Sequence, residues 1–437
     1  MRNWWILTLV LVACERPFVE TSEPLLQVIE PDLSQVLTTQ IITLRVQSTH
    51  FRPVEGVTLN GVAMNPSPLG PGYWEISLGL RLGINPFFLT ANDQDGVSRM
   101  DTTYAIYLPH SISSEAPSLP QPRGGHSVVR LRDGSLMVSG GTFERGGTAQ
   151  GESFLLRRDS QQFTLMEQPM ITPRTGHTAI LLPDRRVLIA GGSRVDEPTR
   201  VSDLVETVEL FDPTATVPAF TEIPVNGQPI RRMHHSAIIR ESSGALILDL
   251  MGGFGDVRYG SDPQLGVRQD MRSFQIESQE LVALNTEASA PLLFEPVSQH
   301  TVTQTKSDSY ILLGSQFRNS MIVNANMNIR YPRASGLSFS PLVQFITPRT
   351  AHSTAALFAG LYGIFGGTNE SNEIPLTIGI FHEPTERFFT LTPSRRMVAR
   401  YDHTAISAGL RSVLIVGGFS ANGTAITTSE YLRISFQ

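Results

Sequence analysis

Arg174-Thr-Gly-His-Thr-Ala-Ile-Leu-Leu-Pro-Asp-Arg-Arg-Val-Leu-Ile-Ala-Gly-Gly192 decides how the chain is read. Two short apolar runs, 177–182 and 187–190, flank a polar break, which is a β-hairpin signal. The runs are continuous rather than alternating, as expected of strands covered on both faces. The same frame recurs along the chain. His126 precedes Gly140-Gly141, His177 precedes Gly191-Gly192 and His235 precedes Gly252-Gly253. His300 precedes Gly314, His352 precedes Gly366-Gly367 and His403 precedes Gly417-Gly418. The first Gly lies 14 residues after the His in five copies and 17 after it in the third.

Steps of 51, 58, 65, 52 and 51 residues between these histidines set the period. A third strand follows in most copies, as in Val208-Glu-Leu-Phe-Asp-Pro213, Thr377–Pro384 and Ser429–Ile434. A fourth ends near proline, as in Phe163–Pro169 and Phe388–Pro393. Four strands per repeat of about 50 residues describe one blade of a β-propeller. The repeated Arg-x-x-His, the Asp-Gly type of turn, the Gly-Gly and the Glu-x-Phe/Tyr resemble the Kelch repeat of galactose-oxidase-like propellers. The resemblance runs from about residue 120 to 437 and implies six blades. The fourth copy departs from it, with Val297 in place of the Arg and Ser315 in place of the second Gly. The last copy ends just after its third strand, so a segment within 112–120 is expected to complete the sixth blade.

The expected class is therefore all-β, a six-bladed Kelch-type propeller over 110–437 preceded by a small Ig-like β-sandwich over 25–109. In the sandwich, Ile41–Val46 alternates as a strand and Asn60-Gly61 marks a hairpin turn. The order Val-x-Leu-Asn-Gly, Leu-x-x-Gly-Ile-Asn and Thr-Ala-Asn-Asp resembles bacterial Ig-like domains. Asn92-Asp-Gln-Asp-Gly96 has an acidic look but lacks the further ligands of a calcium loop, and reads as a tight turn.

Residues 1–13 carry one positive charge followed by ten mostly apolar residues, Trp4–Ala13, too short to span a bilayer. Leu11-Val12-Ala13-Cys14 resembles the bacterial lipobox, which implies cleavage before Cys14 and lipidation of its thiol; the alternative is an ordinary signal peptide. Residues 14–24 read as a tether. Glu15 after the Cys, by resemblance to enterobacterial sorting, implies the outer membrane, so the lipid would be the chain's contact with the membrane. Cys14 is the sole cysteine, which excludes an internal disulfide and a Cys-based zinc site. A net charge of −6, with Lys306 as the only lysine, argues against nucleic acid as a partner.

Six of the ten histidines belong to the repeat, so each is expected to pack and hydrogen-bond between blades. Arg123, Arg174, Arg232, Arg349 and Arg400 each precede a repeat His by three. Five guanidiniums near a channel mouth would suit a carboxylate or sugar-acid ligand. Alternatively each pairs with a carboxylate or carbonyl of its own or the next blade. The two residues after the Arg vary between copies, and so Met233, His234, Gln299, Tyr401 and Asp402 are the candidate channel-mouth side chains. The insertion at 254–272 offers Arg258, Tyr259 and Arg268 as candidate interface residues. No metal site or cofactor is expected. Copper-oxidase chemistry of the galactose-oxidase type is excluded for want of a Cys to crosslink, and no sialidase-type Ser-x-Asp-x-Gly-x-x-Thr-Trp box is present. The reading that follows is non-enzymatic binding or adhesion at the cell envelope, toward a protein or glycan. The alternatives are a carbohydrate-active enzyme resembling sugar-acid mutarotases, and a structural subunit of an envelope complex.

Overall fold

The computed structural model describes residues 23–50, 52–257, 264–286, 289–293, 295–306, 309–318, 321–324, 327–330, 338–342 and 348–435. Cys14, Arg258 and Tyr259 lie outside the described residues, as does most of the tether. The chain separates into two compact units, one from residues up to 33, 40–80 and 84–105, the other from 34–39, 81–83 and 106 onward. Among the described residues, no helix is long and apolar enough to cross a membrane.

The smaller unit contains two four-stranded sheets. One orders Leu25–Glu30, Ile41–Thr49, Tyr73–Gly79 and Asn65–Pro66; the other orders Val62–Ala63, Val54–Leu59, Gly83–Asp93 and Ser98–Tyr107. Side chains along Ile41–Thr49 and Gly83–Asp93 alternate between buried and more exposed, as one-sided strands must. Leu44, Val46, Val57, Leu59, Phe87 and Leu89 are the buried members. Asn60 and Gly61, at φ +50° and +79°, form the expected hairpin turn. The carboxylate of Asp93 accepts the N–H groups of Asp95 and Val97 at 3.0 and 2.8 Å, which makes the acidic 92–96 segment a side-chain-braced turn.

The larger unit is built from repeated antiparallel sheets. The first pairs Ser127–Arg130, Leu136–Ser139, Ser153–Leu156 and Phe163–Leu165 in chain order. Thr178–Leu181, Val187–Ala190, Val208–Phe211 and Phe220–Ile223 form the second in the same order. The third uses Ser236–Ser242, Ala245–Met251, Met271–Ile276 and Leu281–Ala283, with Val225–Asn226 added in parallel at its edge. The fourth uses Thr301–Lys306, Ser309–Leu313, Met327–Arg330 and Ser338–Pro341, and the fifth Ser353–Ala356, Leu361–Phe365, Ile378–His382 and Arg387–Leu391. Thr404–Gly409, Ser412–Val416 and Ser429–Ile434 begin the sixth, which His110–Ser113 completes. That closing strand overlaps the 112–120 segment expected for it at Ile112 and Ser113 and begins two residues upstream. Ile112 faces Leu432 in the register, while Ala116 and Leu119 of the later part pack into the apolar cluster with Leu414 and Val416 instead of extending the strand.

The second strands are buried almost throughout, as in Leu136–Ser139, Val187–Ala190 and Ser412–Val416, and the third strands Val208–Phe211 and Ile378–His382 equally so. Between sheets, apolar clusters fill the space: Val138, Phe154, Leu414 and Val416 in one, Leu188, Leu210, Leu248 and Phe274 in another. The first strands of consecutive sheets are neighbours, and the first strand of the sixth adjoins that of the first, so the circuit closes.

Candidate functional site

The repeated Arg and His form an internal tier. Arg174 donates to the carbonyls of Gly191 and Thr207, both at 3.0 Å, and pairs with Glu209 of the third strand. Arg400 repeats this with Gly417, Thr428 and Glu430, and Arg232 with Gly252 and Asp270. Arg349 donates to the carbonyls of Gly366 and Thr377, and Arg123 reaches Glu152 at 3.2 Å while stacking over Phe143 and Phe154. All five arginines are at most 3% exposed. They are not channel-mouth ligands. A desolvated guanidinium requires acceptors, and nearby carbonyls together with, for Arg123, Arg174, Arg232 and Arg400, a carboxylate in or just before the third strand supply them.

Arg268 is corrected for the same reason. It is buried and donates to Asp270 at 2.7 Å rather than standing on an open loop. Burial alone would raise Asp270, but Arg232 and Arg268 hold it down at about 2. Around it, Phe254–Asp256 and Leu265–Val267 form a small ribbon with Arg232–Met233, so part of the 254–272 insertion is sheet.

Each repeat histidine lies against the first Gly of the preceding sheet's pair, or against the lone Gly314 in the case of His352. A Cβ on Gly140 would come within 2.7 Å of Cε1 of His177, and one on Gly417 within 2.8 Å of that of His126, so the glycines make room for the next imidazole. His177 meets Ser139 at 3.0 Å, His235 meets Thr178 at 3.1 Å and His352 meets Thr301 at 3.2 Å, each across a sheet boundary. Burial lowers all six: His126, His300 and His352 to about 3, and His177, His235 and His403 well below the ordinary value. Neutral and buried, they are scaffold.

The site lies one residue before each histidine. Gly125, Gly176, His234, Gln299, Ala351 and Asp402 all have φ between +46° and +66°. Each N–H donates to the carbonyl of its counterpart in the preceding repeat: Gly176 to Gly125, His234 to Gly176, Gln299 to His234, Ala351 to Gln299, Asp402 to Ala351 and Gly125 to Asp402, at 2.7–3.0 Å. The main chain thus forms a closed ring of hydrogen bonds. Left-handed backbone costs about 1 kcal/mol or more at a non-glycine residue, and strain of this kind concentrates at functional sites.

Three ring side chains converge. His234 Nδ1 is 3.9 Å from Asp402 Oδ1, and Gln299 Nε2 donates to Asp402 Oδ2 at 3.4 Å. The ring and the tier beneath it line a cavity of about 190 Å³. That is smaller than the roughly 300–1,000 Å³ of sites for drug-sized ligands and suits a single small ring. Burial pushes Asp402 up to about 6, with the nearby Asp196 carboxylate raising it further and His234 and Arg145 opposing.

The residues just after the Arg behave differently. Gly124, Thr175, Thr350 and Tyr401 bridge to the residue following the Gly pair, and Met233 pairs with Phe254. Met233 is 1% exposed, packed toward Gly176 of the preceding ring position, so it is corrected from mouth to wall. Tyr401 occupies the same kind of position yet stays half-buried, its ring 5.5 Å from that of Phe419. Burial raises the pKa of the Tyr401 hydroxyl, with Arg145 nearby opposing and Asp402 and Asp196 adding to the rise.

Two residues of the site were not singled out from sequence, Asp196 and Arg145. Both lie in loops that follow a Gly pair. These loops are laced together: Glu144 bridges to Thr424, Thr148 to Val195, and the Asp196 N–H donates to the carbonyl of Gly147. Position after Gly-Gly is the signal that could have found them, because such loops emerge on the face of the ring. No group of three or more His, Cys, Asp or Glu able to hold a metal occurs among the described residues.

This arrangement defines a Kelch-like β-propeller with a polar channel mouth. The structure of YjhT superposes with a TM-score of 0.55, covering 72% of this chain and 96% of that one at 13% identity, which is a likeness of fold. Putative adagio-like protein 2 from Oryza sativa subsp. japonica is 28% identical over 148 residues, and Adagio-like protein 3 from the same plant 26% identical over 159. The matched stretch is about a third of this chain and under a quarter of the length of these curated relatives. No protein-family model matches the chain.

Proposed function

We propose that this chain is a six-bladed Kelch-type propeller following an Ig-like sandwich, and that its channel mouth binds a small polyhydroxylated ligand such as the end of a glycan. The observation that carries this reading is the meeting of His234, Gln299 and Asp402 on the ring, at positions that the repeat elsewhere fills with Gly or Ala. Mixed donors and acceptors at the edge of a small cavity match sugar hydroxyls, and Tyr401 offers a half-buried aromatic face beside them. With the five repeat arginines enclosed in the sheets, the mouth is acidic, and a sugar acid is disfavoured. The test is a thermal-shift and NMR screen of the purified chain against monosaccharides and short glycans. Stabilisation by neutral or amino sugars is expected, and a response confined to proteins or sugar acids would overturn the reading.

Proton transfer at a sugar's anomeric centre is a second reading, favoured by Asp402 pushed to about 6 beside His234. A group with that pKa is poised for acid and base roles near neutrality. Acceleration of anomeric exchange by the protein, lost in Asp402→Asn, supports it; exchange at the uncatalysed rate removes it. We further propose that Cys14 is lipidated and anchors the protein at the outer membrane. Palmitate labelling that disappears in Cys14→Ser tests this.

A further inference from the structure

The order of the hydrogen-bonded ring, Gly125, Gly176, His234, Gln299, Ala351 and Asp402, sets His234 and Asp402 three steps apart in either direction. They occupy opposite positions, yet Nδ1 of the one is 3.9 Å from Oδ1 of the other. Side chains from opposite sides of a closed ring approach so closely only by crossing its centre. The pair is therefore a bar across the axis of the ring.

Both halves of the opening beside the bar are also filled. On one side, Thr175 Oγ1 crowds the place a Cβ on Gly125 would take, and Met233 and the His234 imidazole come within 2.9 and 3.2 Å of the place for one on Gly176. On the other, Gln299 reaches past Ala351 to donate to Asp402 Oδ2 at 3.4 Å, and its Oε1 accepts the Thr350 hydroxyl at 3.3 Å. The cavity continues along the first strands, where their opening residues Ser127, Thr301, Ser353 and Thr404 line it with hydroxyls. Tyr401, one residue before the ring, bridges instead to Phe419 beyond the Gly pair, on the face from which the loops emerge.

The bar is weakly held on a firm base. Its contacts of 3.4 and 3.9 Å are longer than the 2.5–2.9 Å ion pairs of Arg174, Arg232 and Arg400, and an approach of 3.9 Å is not a hydrogen bond. The main chain beneath it is fixed by the ring's own bonds of 2.7–3.0 Å. Arg145, itself paired with Glu197, and Asp196 are the other charged groups acting on Asp402. Rotation of side chains alone is enough to part the bar, with no movement of the backbone.

We propose that His234 and Asp402 form a gate on the axis of the ring, which separates the loop face from the hydroxyl-lined chamber and admits small polar molecules when the two side chains swing apart. The gate is a property of the chain without ligand and goes beyond the sugar-binding reading.

Thiol accessibility tests it on the full chain. Cys14, the sole cysteine, is removed by Cys14→Ser, and Ser127→Cys places a reporter in the chamber. With the bar intact, methyl methanethiosulfonate is expected to modify this reporter at least about tenfold more slowly than after Asp402→Ala or His234→Ala, as for a passage open less than about a tenth of the time. A second reporter, Ser371→Cys on an exposed loop, should react at one rate in every background. Melting shows that each variant is folded, and either bar variant suffices alone. Equal rates at the chamber reporter with and without the bar overturn the gate. So does acceleration at both reporters, which signals general loosening. Because no sugar is present, failure here leaves the sugar-binding reading intact, and failure of every sugar to bind leaves the gate intact.

Discussion

The tier of repeated Arg, His and Gly-Gly and the ring one residue away are both rich in ionisable groups, yet they have opposite characters. In the tier, Arg174, Arg232 and Arg400 each meet an acid within the sheet, and six histidines are kept neutral by burial. In the ring, Asp402 meets only a distant His234 and a long Gln299 contact, and Asp196 beside it has a bare oxygen. Repetition marks groups that the scaffold encloses: the arginines lie against acceptors of their own sheets, and the histidines are held neutral by burial even where, as at His126, His300 and His403, neither ring nitrogen has a hydrogen-bond partner. Departure from the repeat marks groups whose needs remain open, which is the condition for binding something else.

The contrast can be broken at several points, and acid should produce the largest effect. An unfolded histidine titrates near 6.5. The six repeat histidines titrate far lower in the folded state, so below about pH 6.5 the unfolded chain binds more protons. Stability present above that pH is lost as pH falls toward 3, by about 1.4 kcal/mol per pH unit for each histidine. Asp402 works the other way, since its raised pKa adds stability as pH drops from about 6 toward the usual carboxylate range. Circular dichroism against pH should show cooperative unfolding between about pH 6 and 4; a flat profile would contradict the neutral tier.

Arg174→Ala strands Glu209 in the interior and should cost about 3–5 kcal/mol in urea denaturation. Gly140→Ala comes next, at about 2–4 kcal/mol. Its φ is +64°, and a Cβ there would lie 2.3 Å from the Arg174 carbonyl oxygen. Gly61→Ala, also at positive φ but with nothing within 4 Å, should cost only about 1 kcal/mol. Equal losses at the two glycines would mean that the tier is not tightly packed. The ring should respond with the opposite sign. Asp402→Asn removes a carboxylate held at an unfavourably high pKa and should raise stability at pH 7 by on the order of 2 kcal/mol, seen as a higher melting temperature.

Much of the fold was legible because the Gly pair, the histidine and the hairpin between them are local requirements, repeated at nearly constant spacing. The closing strand was less so: His110–Ser113 carries no motif, and its place is set by pairing with Ser429–Ile434 at the far end of the chain. The site was half legible. Comparing copies singled out His234, Gln299, Tyr401 and Asp402, but it grouped Met233 with them, although an apolar side chain at that position packs inward against Gly176 where the Tyr401 side chain stays half-buried. The arginines were placed by position along the chain, and their direction depends on acceptors that only the folded sheet brings close. Asp196 escaped because its one signal is its place in a loop after Gly191-Gly192, which comparison of the aligned repeat positions does not cover.

The central claim is that the unrepeated ring, and not the repeated tier, is the binding site. Titration of the best-binding sugar into the wild type and the His234→Ala/Asp402→Asn double variant, with melting temperatures recorded on the same samples, tests it most directly. The expected result is an affinity at least about tenfold weaker in the double variant with its melting temperature unchanged or raised. Undiminished binding by a folded double variant would contradict it.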